Sequence, residues 1–243
     1  MNQKSYLSEK PIETKERLIF ALDFDGREAA KSMVETLGDS VEFYKLGLEM
    51  FMAGGYYDMV SWLVDRGKKV FVDLKFFDVP QTVGSAVKQL KDKGAIFATV
   101  HGNDAILEAA VRAKGELKIL AVTVLTSLDR GDLNDLGFQC DVEELVLSRA
   151  KRALSLGCDG VISSGLEARE LRSDLGKNFL VVTPGIRPVD NTDDQKRTVD
   201  IEAAFLNGAD YIVVGRPIKY AANPYQTACE FQRRIKDLFE AER

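Results

Sequence analysis

Short apolar runs alternate with amphipathic stretches along almost the whole chain. The runs are "RLIFALDF" (17–24), "EFYKLG" (42–47), "KVFVDLK" (69–75), "AIFATVHG" (95–102), "LKILAVTVLTS" (117–127), "GVISSG" (160–165), "FLVVTPG" (179–185) and "DYIVVGR" (210–216). They are rich in Val, Ile, Leu and Phe, with little polar alternation, as expected of parallel strands covered on both faces. Between them lie helix-period segments such as "REAAKSMVETLG", "YYDMVSWLVDRG" and "DVEELVLSRAKRALSLG", and the last run leads into "PYQTACEFQRRIKDLFEAER". Gly38, Gly67, Gly94, Gly115, Gly157, Gly176 and Gly208 each follow such a segment, where a left-handed residue ends a helix. The pattern predicts eight β–α units.

No change of composition or linker divides the 243 residues, and eight such units in roughly 250 residues is the size of an α/β (β/α)8 TIM barrel. An open doubly wound sheet normally carries a glycine-rich turn after its first strand, whereas "LDFDGRE" has a single glycine. The expected architecture is one barrel domain over 1–243, with residues 1–16 a polar N-terminal extension.

Composition narrows the function classes. A formal net charge of −5 gives no general attraction for nucleic acid or an anionic membrane, so no partner of either kind is expected. The N-terminal stretch lacks the apolar core of a signal peptide, and no apolar run is long enough to span a bilayer. Cys140, Cys158 and Cys229 are scattered and odd in number, which suits a reducing cytoplasm rather than a disulfide framework or a zinc site. With His101 the one histidine, a His-rich metal site is excluded.

The third run ends in charge: "KVFVDLKFFDVPQT" holds Asp73, Lys75 and Asp78. On a strand Asp73 and Lys75 share a face, and Val72 and Leu74 then face the helices. Asp23 closes the first run and Lys45 the second. In a (β/α)8 barrel these are the C-terminal strand ends, where the chemistry sits. Charges removed from water are costly unless paired. One Asp–Lys pair there would read as a structural ion pair. Lys45, Asp73, Lys75 and Asp78 together, with signs alternating, favour a reacting site.

With these residues in order, the chain resembles the orotidine 5′-phosphate decarboxylase family over essentially its whole length. The motifs are "ALDF", "KLG", "DLKFFDVPQT", "TVHG", "VLTS", "TPGIRP", "DDQKR" and "VVGRPI". Val79 and Gln81 depart from the commoner "IPNT" without touching the charged groups. The resemblance implies removal of the carboxylate of orotidine 5′-phosphate to give UMP, the last step of de novo pyrimidine synthesis, with no cofactor and no metal. It implies that Lys75 stabilises and protonates the C6 carbanion, that Asp73 and Asp78 flank it, and that Lys45 and Asp23 reach the ribose. Asp78 and Thr82 would serve the neighbouring subunit's site in a homodimer. Thr126 would meet the pyrimidine amide edge. Arg187, Gly215 and Arg216, at the ends of strands seven and eight, would hold the phosphate. Gln195 would reach pyrimidine and phosphate from a polar lid, "VDNTDDQKR", whose Asp190, Asp193 and Asp194 form a solvated face.

Two alternatives stay open. One is a Mg²⁺-dependent sugar-phosphate decarboxylase or synthase of the same superfamily, in which a carboxylate stands at the position of Lys45. The other is a non-catalytic barrel that binds a phosphonucleotide. His101 is expected to be a hydrogen-bonded structural residue. Trp62, Tyr56 and Tyr57 are expected in packing, and "DRGDLNDLGF" as a loop over the site or a plain connection.

Overall fold

The computed structural model describes residues 5–186 and 199–241. Eight parallel strands close into a barrel in sequence order, with β8 returning to β1. They are β1 (Leu18–Ala21), β2 (Phe43–Leu46), β3 (Lys69–Phe76), β4 (Ala95–Val100), β5 (Lys118–Val122), β6 (Gly160–Ile162), β7 (Leu180–Thr183) and β8 (Tyr211–Val214). Helices follow the strands, and the long one, Pro224–Ala241, comes last. The seven helix-ending glycines all have positive φ, from 52° at Gly38 to 111° at Gly208. Each segment therefore stops where a residue without Cβ adopts the left-handed turn at little cost.

The two faces of the barrel wall pack differently. Leu18, Phe20, Tyr44, Val70 and Val72 point outward and join the helices in one continuous apolar layer. Ile19, Ala21, Phe43, Phe71, Phe97, Leu120, Tyr211 and Val213 point inward and fill the barrel. Within that plug Phe97 lies against Phe43 (5.1 Å between centroids), Tyr211 (5.2 Å) and Phe71 (5.9 Å). Ring pairs at these separations contribute about 0.5–1.5 kcal/mol each beyond their buried area. The plug makes a solid floor, and on β1, β2 and β3 the next inward positions are the charged Asp23, Lys45 and Asp73.

At the N-terminal end of the barrel a polar cluster ties the extension down. Asp210, fully buried just before β8, pairs with Arg172 (2.7 Å) and Lys10 (2.9 Å), accepts from the Val181 N–H (2.9 Å) and bonds the Ser8 hydroxyl. Residues of the N-terminal extension are thus part of the folded unit. The stretch after β5 contains a helix, Arg130–Asp135, opened by a reciprocal capping box between Asp129 and Asp132.

Removing one partner of a buried pair leaves the other charge uncompensated, at about 3–5 kcal/mol, whereas an exposed pair contributes about 0–1 kcal/mol. Asp210→Ala should therefore lower unfolding free energy by about 3–5 kcal/mol in denaturant titration. Asp58→Ala, which breaks the exposed Arg27–Asp58 pair, should change it by less than about 1 kcal/mol. Equal effects from the two variants would contradict the burial argument.

Candidate active site

A cavity of about 280 Å³ opens at the C-terminal end of the barrel, near the lower end of small-molecule sites. Its wall includes Asp23, Lys45, Asp73, Lys75, Thr126, Gly215 and Arg216, and its floor includes Ala21, Phe71 and Val213 from the apolar plug. The strand alternation explains the arrangement. Phe71 faces inward, so Asp73 and Lys75 do too, while Leu74 packs against the outer apolar layer.

Asp73 is the hub. Its side chain is 13% exposed, and it receives Lys75 Nζ at 2.9 Å on Oδ1 and faces Lys45 Nζ at 3.4 Å from Oδ2. Lys45 reaches Asp23 Oδ1 at 3.3 Å as well. The result is a chain of alternating sign, Asp23–Lys45–Asp73–Lys75. Burial alone would push the Asp73 carboxyl up, but Lys45 and Lys75, with hydrogen bonds from Lys75 and Thr99, hold it below the usual carboxylate range. Burial would likewise push the Lys45 ammonium down, and Asp73 and Asp23 override it, so that it stays above the usual lysine range. Both groups are ionised at neutral pH.

The backbone at Lys75 is unusual. Its φ is +48°, the one positive value at a non-glycine residue among the described residues. Such a conformation costs about 1–3 kcal/mol and persists where its surroundings over-determine it. Gly47 supplies room beside the network: a Cβ there would lie 3.1 Å from Lys45 Nζ and 3.3 Å from Asp23 Oδ1.

Two sequence-predicted residues fall elsewhere. Asp78 and Thr82 are exposed, do not line the cavity, and lie just after β3 and on the helix Pro80–Leu90. Asp78 accepts from the Val79 N–H (2.6 Å) and has no ion pair among the described residues. Within one chain the four-charge cluster expected from spacing is therefore completed by Asp23 rather than Asp78, because past Phe76 the chain leaves the strand. Arg187 and Gln195, and with them Asp190, Asp193 and Asp194, lie outside the described residues.

His101 differs from expectation. Its ring packs edge-on to Phe77 at 5.3 Å, and its buried Nδ1 has no hydrogen-bond partner among the described residues. Burial, then the charges of Arg149 and Lys75, hold its pKa below the usual imidazole range. It does not line the cavity. Tyr56 is buried with its hydroxyl on the Leu46 carbonyl, and Trp62 packs against the outer layer under the Arg66 guanidinium, but Tyr57 is partly exposed. Sequence reasoning passed over Thr99, whose hydroxyl joins Asp73 to Lys75. The inward alternation from Phe97 to Thr99 on β4 was the available signal.

Chemically, the site offers a fixed ammonium flanked by carboxylate beside a small cavity. On the other side of β1, Pro184 and Gly185 after β7 join Gly215 and Arg216 after β8 in the wall of the same cavity. Those are strand ends at which such barrels commonly hold phosphate.

Comparison with known proteins agrees with this arrangement. The model of the orotidine 5′-phosphate decarboxylase / HUMPS family matches residues 16–231. A protein of Methylococcus capsulatus named orotidine 5′-phosphate decarboxylase is 63% identical over 239 residues, 98% of this chain and 99% of its own length. One of the same name from Stenotrophomonas maltophilia is 46% identical, covering 95% and 97% respectively. The crystal structure of orotidine 5′-phosphate decarboxylase from Lactobacillus acidophilus superposes with a TM-score of 0.79 at 37% identity, over 92% of this chain and 99% of that one. On its sequence, its closed barrel and the charged groups at the barrel mouth, the chain belongs to the orotidine 5′-phosphate decarboxylase / HUMPS family.

Proposed function

We propose that this protein decarboxylates orotidine 5′-phosphate to UMP and CO₂ in pyrimidine synthesis, with Asp73 and Lys75 as the reacting pair. The observation that carries the reading is the Asp23–Lys45–Asp73–Lys75 chain, nearly buried at Lys45 and Asp73 and open at Lys75 to a cavity at the barrel mouth. Breaking the bond from C6 to the carboxylate leaves its electron pair on C6 of the pyrimidine, in an orbital that the ring cannot delocalise. A positive charge already fixed beside C6 stabilises that pair without reorganisation in the transition state. The Lys75 ammonium is that charge, and a proton then passes from Nζ to C6. Asp73 holds Lys75 in place and, as an anion, disfavours the carboxylate that must leave. The remote phosphate binds Gly215 and Arg216, so that binding energy away from the reacting atoms helps order the charged chain. Thr126, in the cavity wall, meets the pyrimidine edge, and Asp23 with Lys45 meets the ribose.

Metal independence is part of the proposal. Lys45 Nζ lies between Asp23 and Asp73, at 3.3 and 3.4 Å, where a hard cation would otherwise bridge the two carboxylates. That argues against the Mg²⁺-dependent sugar-phosphate reading. A cytoplasmic location fits the three free cysteines, of which Cys158 has its thiol pushed up to about 12 by burial. None of the helices among the described residues is long and apolar enough to cross a membrane.

We further propose a homodimer in which Asp78 and Thr82 reach the neighbouring site. Asp78 stands between exposed Phe77 (68%) and Val79 (62%), and the segment after the adjacent strand β2 exposes Leu48 (59%) and Met52 (78%). Clustered apolar exposure of this kind marks an interaction surface, and an acid carried on it would be delivered to a partner.

Two outcomes are expected. Purified protein should consume orotidine 5′-phosphate, followed by ultraviolet absorbance, at an undiminished rate after exhaustive chelation. A strict Mg²⁺ requirement would favour the sugar-phosphate reading, and no turnover at all the non-catalytic one. Mixing inactive Asp78→Asn with inactive Lys75→Ala should restore activity, because each mixed dimer holds one doubly defective and one intact site. Random exchange should return about a quarter of the wild-type rate for a two-fold symmetric dimer. Demonstrated subunit exchange without recovery would contradict site sharing.

A further inference from the structure

The β3–β4 ladder breaks beside the charged pair. Val72 pairs with Ala98, and the next pairing is Phe76 with Val100. Asp73, Leu74 and Lys75 therefore stand on β3 opposite Thr99 alone on β4. A bulge of this kind leaves backbone groups without ladder partners and re-aims side chains. Here it turns Lys75 into the left-handed region. The Lys75 N–H, lost to the ladder, donates to Thr99 Oγ1 at 2.9 Å. The Thr99 hydroxyl in turn donates to Asp73 Oδ1 at 2.9 Å, the oxygen that receives Lys75 Nζ at 2.9 Å. Thr99 is fully buried, so no water substitutes for either bond.

We propose that Thr99 is a positioning residue for the reaction: its single hydroxyl closes a ring through the Lys75 backbone and the Asp73 carboxylate, fixing the ammonium where charge develops. The inference rests on Asp73 and Lys75 being the reacting pair. Thr99 does not line the cavity, so it acts through these two residues. A β-branched residue suits its place on β4, but packing alone asks nothing of the hydroxyl. Valine matches the shape and lacks both the donor and the acceptor. Without the hydroxyl, the strained Lys75 backbone loses a hydrogen bond, and the Asp73 oxygen keeps only the ammonium to orient it. The ammonium is then free to move from its aligned position, which weakens an interaction made in the transition state more than one made with bound substrate.

The test compares kcat and KM for orotidine 5′-phosphate in wild type, Thr99→Val and Thr99→Ser, with folding verified by circular dichroism. Thr99→Val should lower kcat about 10- to 100-fold, the loss expected for a hydrogen bond to a charged group, with KM within about threefold. Thr99→Ser, which keeps the hydroxyl, should stay within a few-fold of wild type in both constants. Unchanged kcat in Thr99→Val, or a Thr99→Ser as impaired as Thr99→Val, would overturn the proposal, the latter by assigning the loss to packing. Should Thr99→Val fail to fold, Thr99→Ala against Thr99→Ser reads the same contrast. Lys75→Ala is assayed alongside. If it retains turnover, the premise itself falls, whereas an inactive Lys75→Ala beside an unimpaired Thr99→Val removes only the role of Thr99.

Discussion

Asp73 is a carboxylate taken almost wholly out of water and held between two ammonium groups. Lys45, itself nearly buried, would not be tolerable at the barrel mouth without Asp73, nor Asp73 without its two ammonium partners, since an isolated buried charge costs several kcal/mol even after relaxation. Three features of the structure serve that interaction. The aromatic plug of Phe43, Phe71, Phe97 and Tyr211 keeps water from entering below. The bulge in β3 turns Lys75 back toward Asp73. Gly47 leaves no Cβ where Lys45 must pass.

The two ends of the barrel use buried charge differently. At the N-terminal end Asp210 is saturated by Arg172, Lys10, Ser8 and a backbone N–H, which locks the chain's extension to the barrel and leaves nothing free to react. At the C-terminal end Lys75 remains 36% exposed on the cavity while Asp73 holds it. The same pairing of opposite charges is closed at one pole and open at the other, and only the open one can meet a substrate.

Much of this was legible in the sequence, because strand identity and inward alternation are local. The eight apolar runs, the seven helix-ending glycines and the inward placement of Asp23, Lys45, Asp73 and Lys75 follow from periods of two and 3.6 residues. Three features were not legible. The left-handed Lys75 depends on how many residues of β3 face each residue of β4, and register is set by tertiary pairing. Spacing grouped Asp78 with Asp73 and Lys75, yet the strand ends at Phe76 and the acid turns outward. The helix at Arg130–Asp135 has only Asp129 and Asp132 as its signal, a weaker form of the usual Ser/Thr and Glu capping pattern, so the stretch reads from sequence as a loop over the site or a plain connection.

On the proposed mechanism a lysine held by Asp73 supplies both the cation beside C6 and the proton that ends the reaction. The most direct measurement is kcat of folded Lys75→Ala at saturating orotidine 5′-phosphate, with and without added ethylammonium. Loss of nearly all turnover is predicted, with part of it restored in proportion to the ammonium and none by ethanol, a neutral molecule of similar size. A folded Lys75→Ala protein that turns over at close to the wild-type rate without ethylammonium would contradict the account.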